Sequence, residues 1–310
     1  MFVLLVGLPA AGKTTYLGAL WESINATEVP SSLSLTKLAP DISHIEKIHS
    51  NWSMAELAVH TTPTTAQPVD LLLKLPNGED FSLTIPDLAG DDIVSYLSHR
   101  DWPADFDATV QDADGILMLL NADKVTPHGL LDEAIELEQL LEEKDESSIV
   151  KTQAEGATRV DPKPSGAPEN PESEAPLSEQ VQFNAETVVP TEVRLVDLLQ
   201  ELVQRNTKRP VRVALLVSAW DLVSARCHDD PEEWLAKDMP LLSQFLQSNN
   251  DLFESAIYGV SAQGGMLPNQ QSTLLETPPY NRPRIVGATV SHERDLSQPI
   301  FWLLEGSLRK

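Results

Sequence analysis

Close to its amino end the chain has a glycine-bracketed loop, Gly7-Leu8-Pro9-Ala10-Ala11-Gly12-Lys13-Thr14. It matches the pattern G-x-x-x-x-G-K-[ST] at every fixed position. The two glycines let the backbone wrap closely around an anion with its N–H groups pointing inward. In such a loop the lysine reaches the terminal phosphates and the threonine hydroxyl contacts Mg²⁺. The pattern therefore predicts a loop that binds nucleoside phosphates.

The residues on either side of this loop support the same interpretation. Before it, residues 2–6 form a short continuous apolar run that is typical of a buried parallel strand. After it, Leu17, Leu20 and Ile24 recur at helical spacing. A helix that begins at the loop turns its positive end toward the anion. The residues that we assign to nucleotide binding here are Gly7, Ala10, Ala11, Gly12, Lys13, Thr14 and Thr15.

The order of the remaining elements indicates the fold class. Buried strands are expected at residues 115–120, 211–217 and 255–260, and helices at residues 126–141, 191–202, 231–247 and from Ser297 onward. Two further strands, residues 69–75 and 81–85, are separated by a strong turn signal and predict an antiparallel hairpin. The prediction is an α/β P-loop fold: a mainly parallel sheet with one antiparallel hairpin and helices on both faces. Residues 262–294 are expected to be irregular.

Composition excludes several classes of function. The chain has 310 residues, with 47 acidic and 22 basic side chains and a formal net charge of −25. This balance argues against a nucleic-acid partner, which needs a basic footprint, and against docking on anionic lipid. The longest apolar runs are too short for membrane insertion. A single cysteine, Cys227, excludes an intramolecular disulfide framework, and without a visible signal peptide we expect a cytoplasmic protein.

A change of composition near Lys144 indicates an insertion. From there to about Pro190 the chain is rich in Glu, Ser, Pro and Ala and has few large apolar residues. Such a segment cannot bury enough apolar surface to offset the entropy of ordering. We therefore predict a single domain over residues 1–310 that contains a disordered acidic insertion at residues 144–190.

Two segments fit the metal side of a phosphate site. Asp87 follows the strand that ends at Ile85, in the sequence Pro86-Asp87-Leu88-Ala89-Gly90, and an Asp in this position suits a Mg²⁺ contact. The free N–H of Gly90 could sense a terminal phosphate. A threonine from residues 61–65 could bind Mg²⁺ as a switch residue; Thr65 is the first choice, and Thr62 and Thr64 remain alternatives. The predicted metal ligands are Thr14, Thr65 and Asp87.

Two motifs at later strand ends complete the pattern. Residues 211–217 lead into Ser218-Ala219-Trp220-Asp221, and the next strand ends at Ser261-Ala262-Gln263. With these motifs in this order, residues 3–263 resemble the P-loop GTPases of the translation-factor and Ras-like (TRAFAC) class. Within that class, the layout is most similar to bacterial double-GTPase proteins of multi-gene conflict or signalling systems. The resemblance implies that Asp221 pairs with guanine N1 and N2 and that the Ser261-Ala262 backbone supports O6.

The resemblance also implies a function, which is a molecular switch that binds and hydrolyses GTP with Mg²⁺ and is recognised by a protein partner or an activating protein. Its expected catalytic group is Lys13, Thr65, Gly90 and Asp91. The class places Gln or His after D-x-x-G, whereas here Asp91 follows, and a carboxylate is repelled by the γ-phosphate. No arginine finger is identifiable beyond the weak candidate Arg100. Hydrolysis is therefore expected to be slow.

Departures at the base end leave two alternatives open. In the class the fourth motif is N/T-K-x-D; here Ser218 replaces Asn or Thr, and Ala219 replaces the Lys that packs along the base. One alternative is a nucleotide-bound interaction module with negligible turnover, which Asp91 favours. The other is an ATP-using P-loop nucleotidase, which the missing lysine keeps open. The similar sequence Asn121-Ala122-Asp123-Lys124 imitates the base motif, but the resemblance implies a structural role for the strand that it follows, according to the motif order of the family.

Overall fold

The computed structural model describes residues 2–37, 42–58, 68–85, 90–100, 102, 104–126 and 189–308. In chain order the strands and helices are β1 Val3–Gly7, α1 Lys13–Asn25, β2 Ser34–Lys37, α2 Ser43–Ser53, β3 Val69–Lys74, β4 Asp80–Ile85, α3 Gly90–His99, α4 Ala104–Asp112, β5 Gly115–Asn121, α5 Thr191–Arg205, β6 Val211–Ser218, α6 Pro231–Asp238, α7 Pro240–Ser248, β7 Phe253–Ser261, α8 Gln271–Glu276, β8 Arg284–Val286 and α9 Gln298–Leu308. Short 3₁₀ turns lie at Ala122–Lys124, Trp220–Leu222, Ser224–Arg226 and Pro279–Asn281.

The main sheet is parallel apart from one edge strand. Its order is β1-β5-β6-β7-β8. The neighbouring pairs β1–β5, β5–β6 and β6–β7 are all parallel. Parallel strands need covered faces, which explains why the apolar runs of β1, β5 and β6 are continuous rather than alternating. The carboxyl ends of the four parallel strands, β1, β5, β6 and β7, lie at one edge of the sheet. The predicted α/β class with a mainly parallel sheet is confirmed.

A smaller antiparallel sheet contains the predicted hairpin. Its order is β2-β3-β4, with Val69 opposite Ile85 and Lys74 opposite Asp80. The turn at residues 75–79 closes it, as the sequence predicted. A single parallel bridge from Phe2 to Thr84 places β4 beside the start of β1. β4 therefore runs in the same direction as β1.

Helices cover both faces of the main sheet, because successive residues of each strand point to opposite sides. On β1, Val3 and Leu5 belong to one buried cluster, whereas Leu4 and Val6 belong to the other. The first cluster is completed by apolar residues of α1, α2 and α9, and the second by those of α4, α5, α6 and α7. This arrangement confirms the prediction of helices on both faces.

Two boundaries differ from the sequence-based expectation. The helix expected over residues 231–247 is two helices, because Pro240 lacks an N–H and its ring excludes a helical conformation at the preceding Met239, which has φ −138° and ψ 56°. The stretch 262–294, expected to be irregular, contains α8 and the short strand β8. β8 pairs antiparallel with β7 and extends the main sheet.

Residues Met1–Thr126 and Ala185–Lys310 form one compact unit, and a second unit comprises Pro127–Asn184. The second unit, most of the helix expected over residues 126–141, and nearly all of the acidic insertion expected at residues 144–190 lie outside the described residues. Within the ranges given above, no helix combines the length and the apolar character that crossing a bilayer requires.

Candidate functional site

The phosphate-binding loop joins β1 to α1 and uses its two glycines for different reasons. A Cβ at Gly7 would lie 2.6 Å from the carbonyl oxygen of Leu119 on β5, a distance that real side chains do not reach. Gly12 has a φ of +93°, in the left-handed region that favours glycine. The loop geometry thus requires glycine at both positions that the motif fixes.

Lys13 lies across this loop rather than in solvent. Its side chain is buried, and Nζ donates a 2.8 Å hydrogen bond to the carbonyl oxygen of Gly7. The first turn of α1 carries no acidic side chain, and no side chain caps the helix N-terminus. A helix N-terminus with a lysine folded over it is a favourable position for a phosphate.

Side chains from two neighbouring strands hold the loop in place. Asn121, the last residue of β5, donates from Nδ2 to the carbonyl oxygen of Ala10 at 3.0 Å. Ser218, the last residue of β6, donates from Oγ to the carbonyl oxygen of Ala11 at 2.7 Å. Ser218, which replaces Asn or Thr of the base motif, therefore connects the base end of the site to the phosphate end. Asn121 has the structural role that the resemblance implied.

The metal side of the site is only partly described. Thr14 and Thr15 lie in the first turn of α1 and are half-buried. Gly90 is the first residue of α3. Thr65, Asp87 and the side chain of Asp91 lie outside the described residues, as do the alternative threonines at positions 62 and 64. The assignments of Thr65, Asp87 and Asp91 accordingly stay predictions.

At the base end, the structure brings together two residues that are forty positions apart. Ser261 ends β7 and donates from Oγ to Oδ1 of Asp221 at 2.7 Å. Asp221 is exposed, whereas Ser261 and the following Ala262 are buried. The pairing of β6 with β7 causes this proximity, since Ser218 lies opposite Val260. An exposed carboxylate oriented by a buried hydroxyl can accept hydrogen bonds from N–H groups of a base.

Trp220, which precedes Asp221, packs inside the protein. Its side chain is buried and so close to Gly259 that a Cβ there would lie 2.3 Å from the indole. Its Nε1 donates to Asp229 Oδ1 at 2.7 Å, and Arg284 Nη1 donates to the same oxygen at 3.1 Å. Burial raises the pKa of Asp229, but the hydrogen bonds from Arg284 and Trp220 outweigh this effect, so that the net pKa is lowered.

The hydrogen bonds of Asp229 with Arg284 and Trp220 predict a pH-dependent contribution to the stability of the fold. Because the pKa of Asp229 is lowered by folding, its contribution is present above the ordinary pKa of an aspartate and is lost as the pH falls through the lower, folded value. We expect Asp229→Asn to reduce the free energy of unfolding by about 1 kcal/mol at pH 7. The difference from wild type should shrink below about pH 4. Urea unfolding at pH 7, 5 and 3 measures it, and a difference that grows with acidification would contradict the assignment.

The sequence did not indicate that α2 contributes to the base end. Trp52 is buried, and its Nε1 donates to the carbonyl oxygen of Ala262 at 3.1 Å. Gln263 returns a hydrogen bond from Nε2 to the carbonyl oxygen of Trp52 at 3.3 Å. The loop that follows β7 is thereby fixed to a helix more than 200 residues earlier. An isolated tryptophan at the end of an amphipathic helix gives no signal for such a role.

A cleft that is open to solvent adjoins this base end. Its lining includes Trp220, Asp221 and Ser261, together with Gly264 and residues between Thr273 and Arg294. The lining also includes three arginines, Arg282, Arg284 and Arg294. Sequence reasoning missed all three, because they fall in the stretch expected to be irregular.

Arg100, the weak candidate for an arginine finger, is bound to another helix. Its Nη1 lies 2.8 Å from Oδ1 of Asp197 on α5 and 3.8 Å from Oε1 of Glu201. The hydrogen bond with Asp197 raises the pKa of Arg100. This ion pair connects the end of α3 to α5, which fits a surface structural role.

Similarity to solved structures is distant. The chain shares 13% identity and a TM-score of 0.38 with a chain of the signal recognition particle receptor SRb-GTP/SRX complex from Chaetomium thermophilum, covering 89% of this chain and 96% of that one. It shares 10% identity and a TM-score of 0.34 with Roco2 RocCORdC bound to GDP from Methanosarcina barkeri, covering 93% of this chain and 52% of that one. No curated protein sequence matches the chain.

A protein-family model gives the assignment. The model for Double-GTPase 1 matches residues 4–303, which is nearly the whole chain. The match includes the phosphate-binding loop and the Asp221–Ser261 pair. The chain therefore belongs to the Double-GTPase 1 family and is a GTP-binding P-loop GTPase.

Proposed function

We propose that this protein is a GTP-dependent switch that binds GTP together with Mg²⁺, hydrolyses it slowly and is recognised by a protein partner. The observation that carries the proposal is the position of the two ends of the site. The phosphate loop follows β1, and the Asp221–Ser261 pair lies at the ends of β6 and β7, all at one edge of a parallel sheet. Open α/β sheets bind their ligands at this edge.

The roles of individual residues follow from this placement. Lys13 contacts the β- and γ-phosphates, and the loop from Gly7 to Thr15 supplies backbone N–H groups. Asp221 accepts hydrogen bonds from guanine N1 and N2, with Ser261 orienting it and Ala262 beside O6. The half-buried position of Thr14 in a first turn without acidic residues is compatible with a bound metal ion next to phosphate.

Thr14, Thr65 and Asp87 would hold Mg²⁺, which neutralises charge on the phosphate oxygens when bound. In this proposal Thr65 and the N–H of Gly90 are ordered by the γ-phosphate and are released after hydrolysis. A protein partner would distinguish the two arrangements. Gly90 begins α3, so that release at this residue could alter the helix that follows it.

Slow turnover is the consequence of Asp91. A carboxylate beside the γ-phosphate raises the energy of the charged transition state unless a cation neutralises it. Arg100, the nearest arginine candidate from the sequence, is paired with Asp197. An arginine supplied by a partner would raise the rate by roughly three to five decades. A nucleotide-bound interaction module with negligible turnover is the second candidate, and Asp91 favours it.

Phosphate release under multiple turnover, with GTP·Mg²⁺ and ATP·Mg²⁺ in parallel, tests the proposal. We expect GTP hydrolysis on the order of 10⁻³ per second or slower, and its loss on chelation of Mg²⁺. Titration with non-hydrolysable GTP and ATP analogues separates binding from turnover. GTP binding without any phosphate release would support the interaction module, and equal binding of the ATP analogue would contradict the guanine site.

A further inference from the structure

Arg282 is a buried arginine that lines the base-end cleft and uses two of its three guanidinium nitrogens in hydrogen bonds to the protein. Its side chain is 5% exposed, and burial lowers its pKa. Nε donates to the carbonyl oxygen of Thr277 at 3.1 Å, and Nη1 to that of Ser53 at 2.8 Å. In the described part of the chain, Nη2 has no hydrogen-bond partner. Arg282 lines the cleft, and Nη2 is the guanidinium nitrogen that keeps its donors available to a ligand there.

The backbone fixes Arg282 against the loop that carries Ser261 and Ala262. In the sheet, Arg284 lies opposite Ser261, which places Arg282 beside the start of the loop. At Gly264, where φ is +82°, a Cβ would lie 2.5 Å from the carbonyl oxygen of Arg282. The backbone of Arg282 therefore leaves no room for a side chain at position 264.

The side chain of Arg282 is fixed as well. Its guanidinium carbon lies 5.8 Å from the centre of the Trp52 ring. Trp52 in turn donates to the carbonyl oxygen of Ala262. Two carbonyls and one aromatic ring thus position a cation in the same cleft that Asp221 lines. Such an orientation is pre-organised, since a side chain already held in place loses little entropy when a ligand binds.

The chemistry of this pair matches one edge of guanine. On its Watson–Crick edge guanine presents the donors N1–H and N2–H next to the acceptor O6, which also adjoins the acceptor N7 of the neighbouring edge. A carboxylate accepts from the two donors, and arginine is the side chain that most often donates to the acceptors. Adenine carries an N6 amino donor where guanine has O6, so that an arginine there would face a donor. A free anion fits less well, because the carboxylate of Asp221 would repel it.

We propose that Arg282 is a specificity-determining residue that donates from Nη2 to O6 of guanine, beside Asp221. The proposal rests on the guanine site assigned above to Asp221. It accounts for discrimination between GTP and ATP in a chain whose base motif has Ala219 in place of lysine. Asp221 selects the donor half of the guanine edge, and Arg282 selects its acceptor half.

The test compares GTP with two analogues that each lack one acceptor of guanine, and with ATP. Dissociation constants for GTP, 6-thio-GTP, 7-deaza-GTP and ATP are measured on wild type, Arg282→Met and the matched control Arg294→Met. Arg294 lines the same cleft and donates to the carbonyl oxygen of Pro283 at 2.9 Å. Its replacement therefore also removes a positive charge and a hydrogen bond to a backbone carbonyl. Methionine keeps an unbranched apolar side chain and removes every donor.

We expect wild type to bind 6-thio-GTP about tenfold more weakly than GTP, because sulfur is a poor acceptor, and 7-deaza-GTP as tightly as GTP. In Arg282→Met the ratio of the 6-thio-GTP and GTP constants should fall severalfold toward one, because only the Ala262 backbone would still contact position 6. The preference for GTP over ATP should fall about tenfold. Arg294→Met should keep both wild-type ratios. Each ratio is internal to one variant, so a general loss of stability does not change it.

An unchanged 6-thio-GTP ratio in Arg282→Met, with a wild type that prefers GTP, overturns the role of Arg282 alone. If the ratio of the 6-thio-GTP and GTP constants falls in Arg294→Met instead, the role of Arg282 is likewise overturned. A wild type that binds GTP and ATP equally overturns the guanine site together with this role. If Arg282→Met does not fold, Arg282→Gln is measured in its place; it can still donate to one of the two carbonyls but cannot also reach the base, and the same result is expected.

Discussion

Lys13→Ala should lose GTP affinity by about two to four decades. The wild-type ammonium is buried and already bonded inside the phosphate loop, at 2.8 Å from the carbonyl oxygen of Gly7. Moving it onto two phosphate oxygens forms charge-assisted hydrogen bonds worth about 1.5–3 kcal/mol each. Their loss corresponds to about 100- to 10,000-fold in the dissociation constant. Titration with a non-hydrolysable GTP analogue and Mg²⁺ measures the effect.

The matched control for this variant is Lys124→Ala. Lys124 follows the end of β5, its side chain is 64% exposed, and it pairs with Asp123. We expect its replacement to leave GTP affinity within a factor of about two, since surface ion pairs contribute little. GTP at a concentration that just saturates wild type should raise the unfolding temperature of wild type and of Lys124→Ala, but not that of Lys13→Ala. Equal affinity of both variants would contradict the assigned phosphate site.

The phosphate half of the site could be predicted because its determinants are local. A strand, a glycine-bracketed loop and a helix occupy consecutive residues, so the pattern and the geometry coincide. Asp221 and Ser261 were assigned to one site through the resemblance to the P-loop GTPases, and their hydrogen bond depends on β6 and β7 being neighbours in the parallel sheet. The two strands pair over the whole length of β6.

The remaining contacts had no sequence signal because they join distant segments. Trp52 reaches Ala262 across 210 positions, and Arg282 reaches Ser53 across 229. β8 has only three residues, too few for a periodic pattern. A buried arginine also runs against the general rule that arginines are exposed. The break at Met239, in contrast, was available from the sequence, since Pro240 stands inside the expected helix.

Asp221→Asn should exchange guanine for xanthine preference. Asparagine keeps Oδ1, so it can still accept the hydrogen bond from Ser261, but it presents an amide N–H₂ where wild type presents a second carboxylate oxygen. That amide faces the 2-amino group of guanine, donor against donor, and one charge-assisted hydrogen bond is lost. The expected cost is about 1.5–3 kcal/mol, or about 10- to 100-fold in affinity for GTP. Xanthine has a carbonyl at position 2, which accepts from the new amide.

The matched control is Asp123→Asn in the sequence that imitates the base motif. Asp123 has a 55% exposed side chain and follows Asn121, which holds the phosphate loop rather than a base. We expect this variant to keep wild-type affinity for both nucleotides. Parallel titrations with GTP and XTP analogues on wild type and both variants measure the exchange. A GTP affinity that falls without any gain for XTP would indicate that Asp221 stabilises the loop around Ser261. A reversed preference confined to Asp221→Asn would require direct contact with the base, because only a side chain facing position 2 distinguishes an amino group from a carbonyl there.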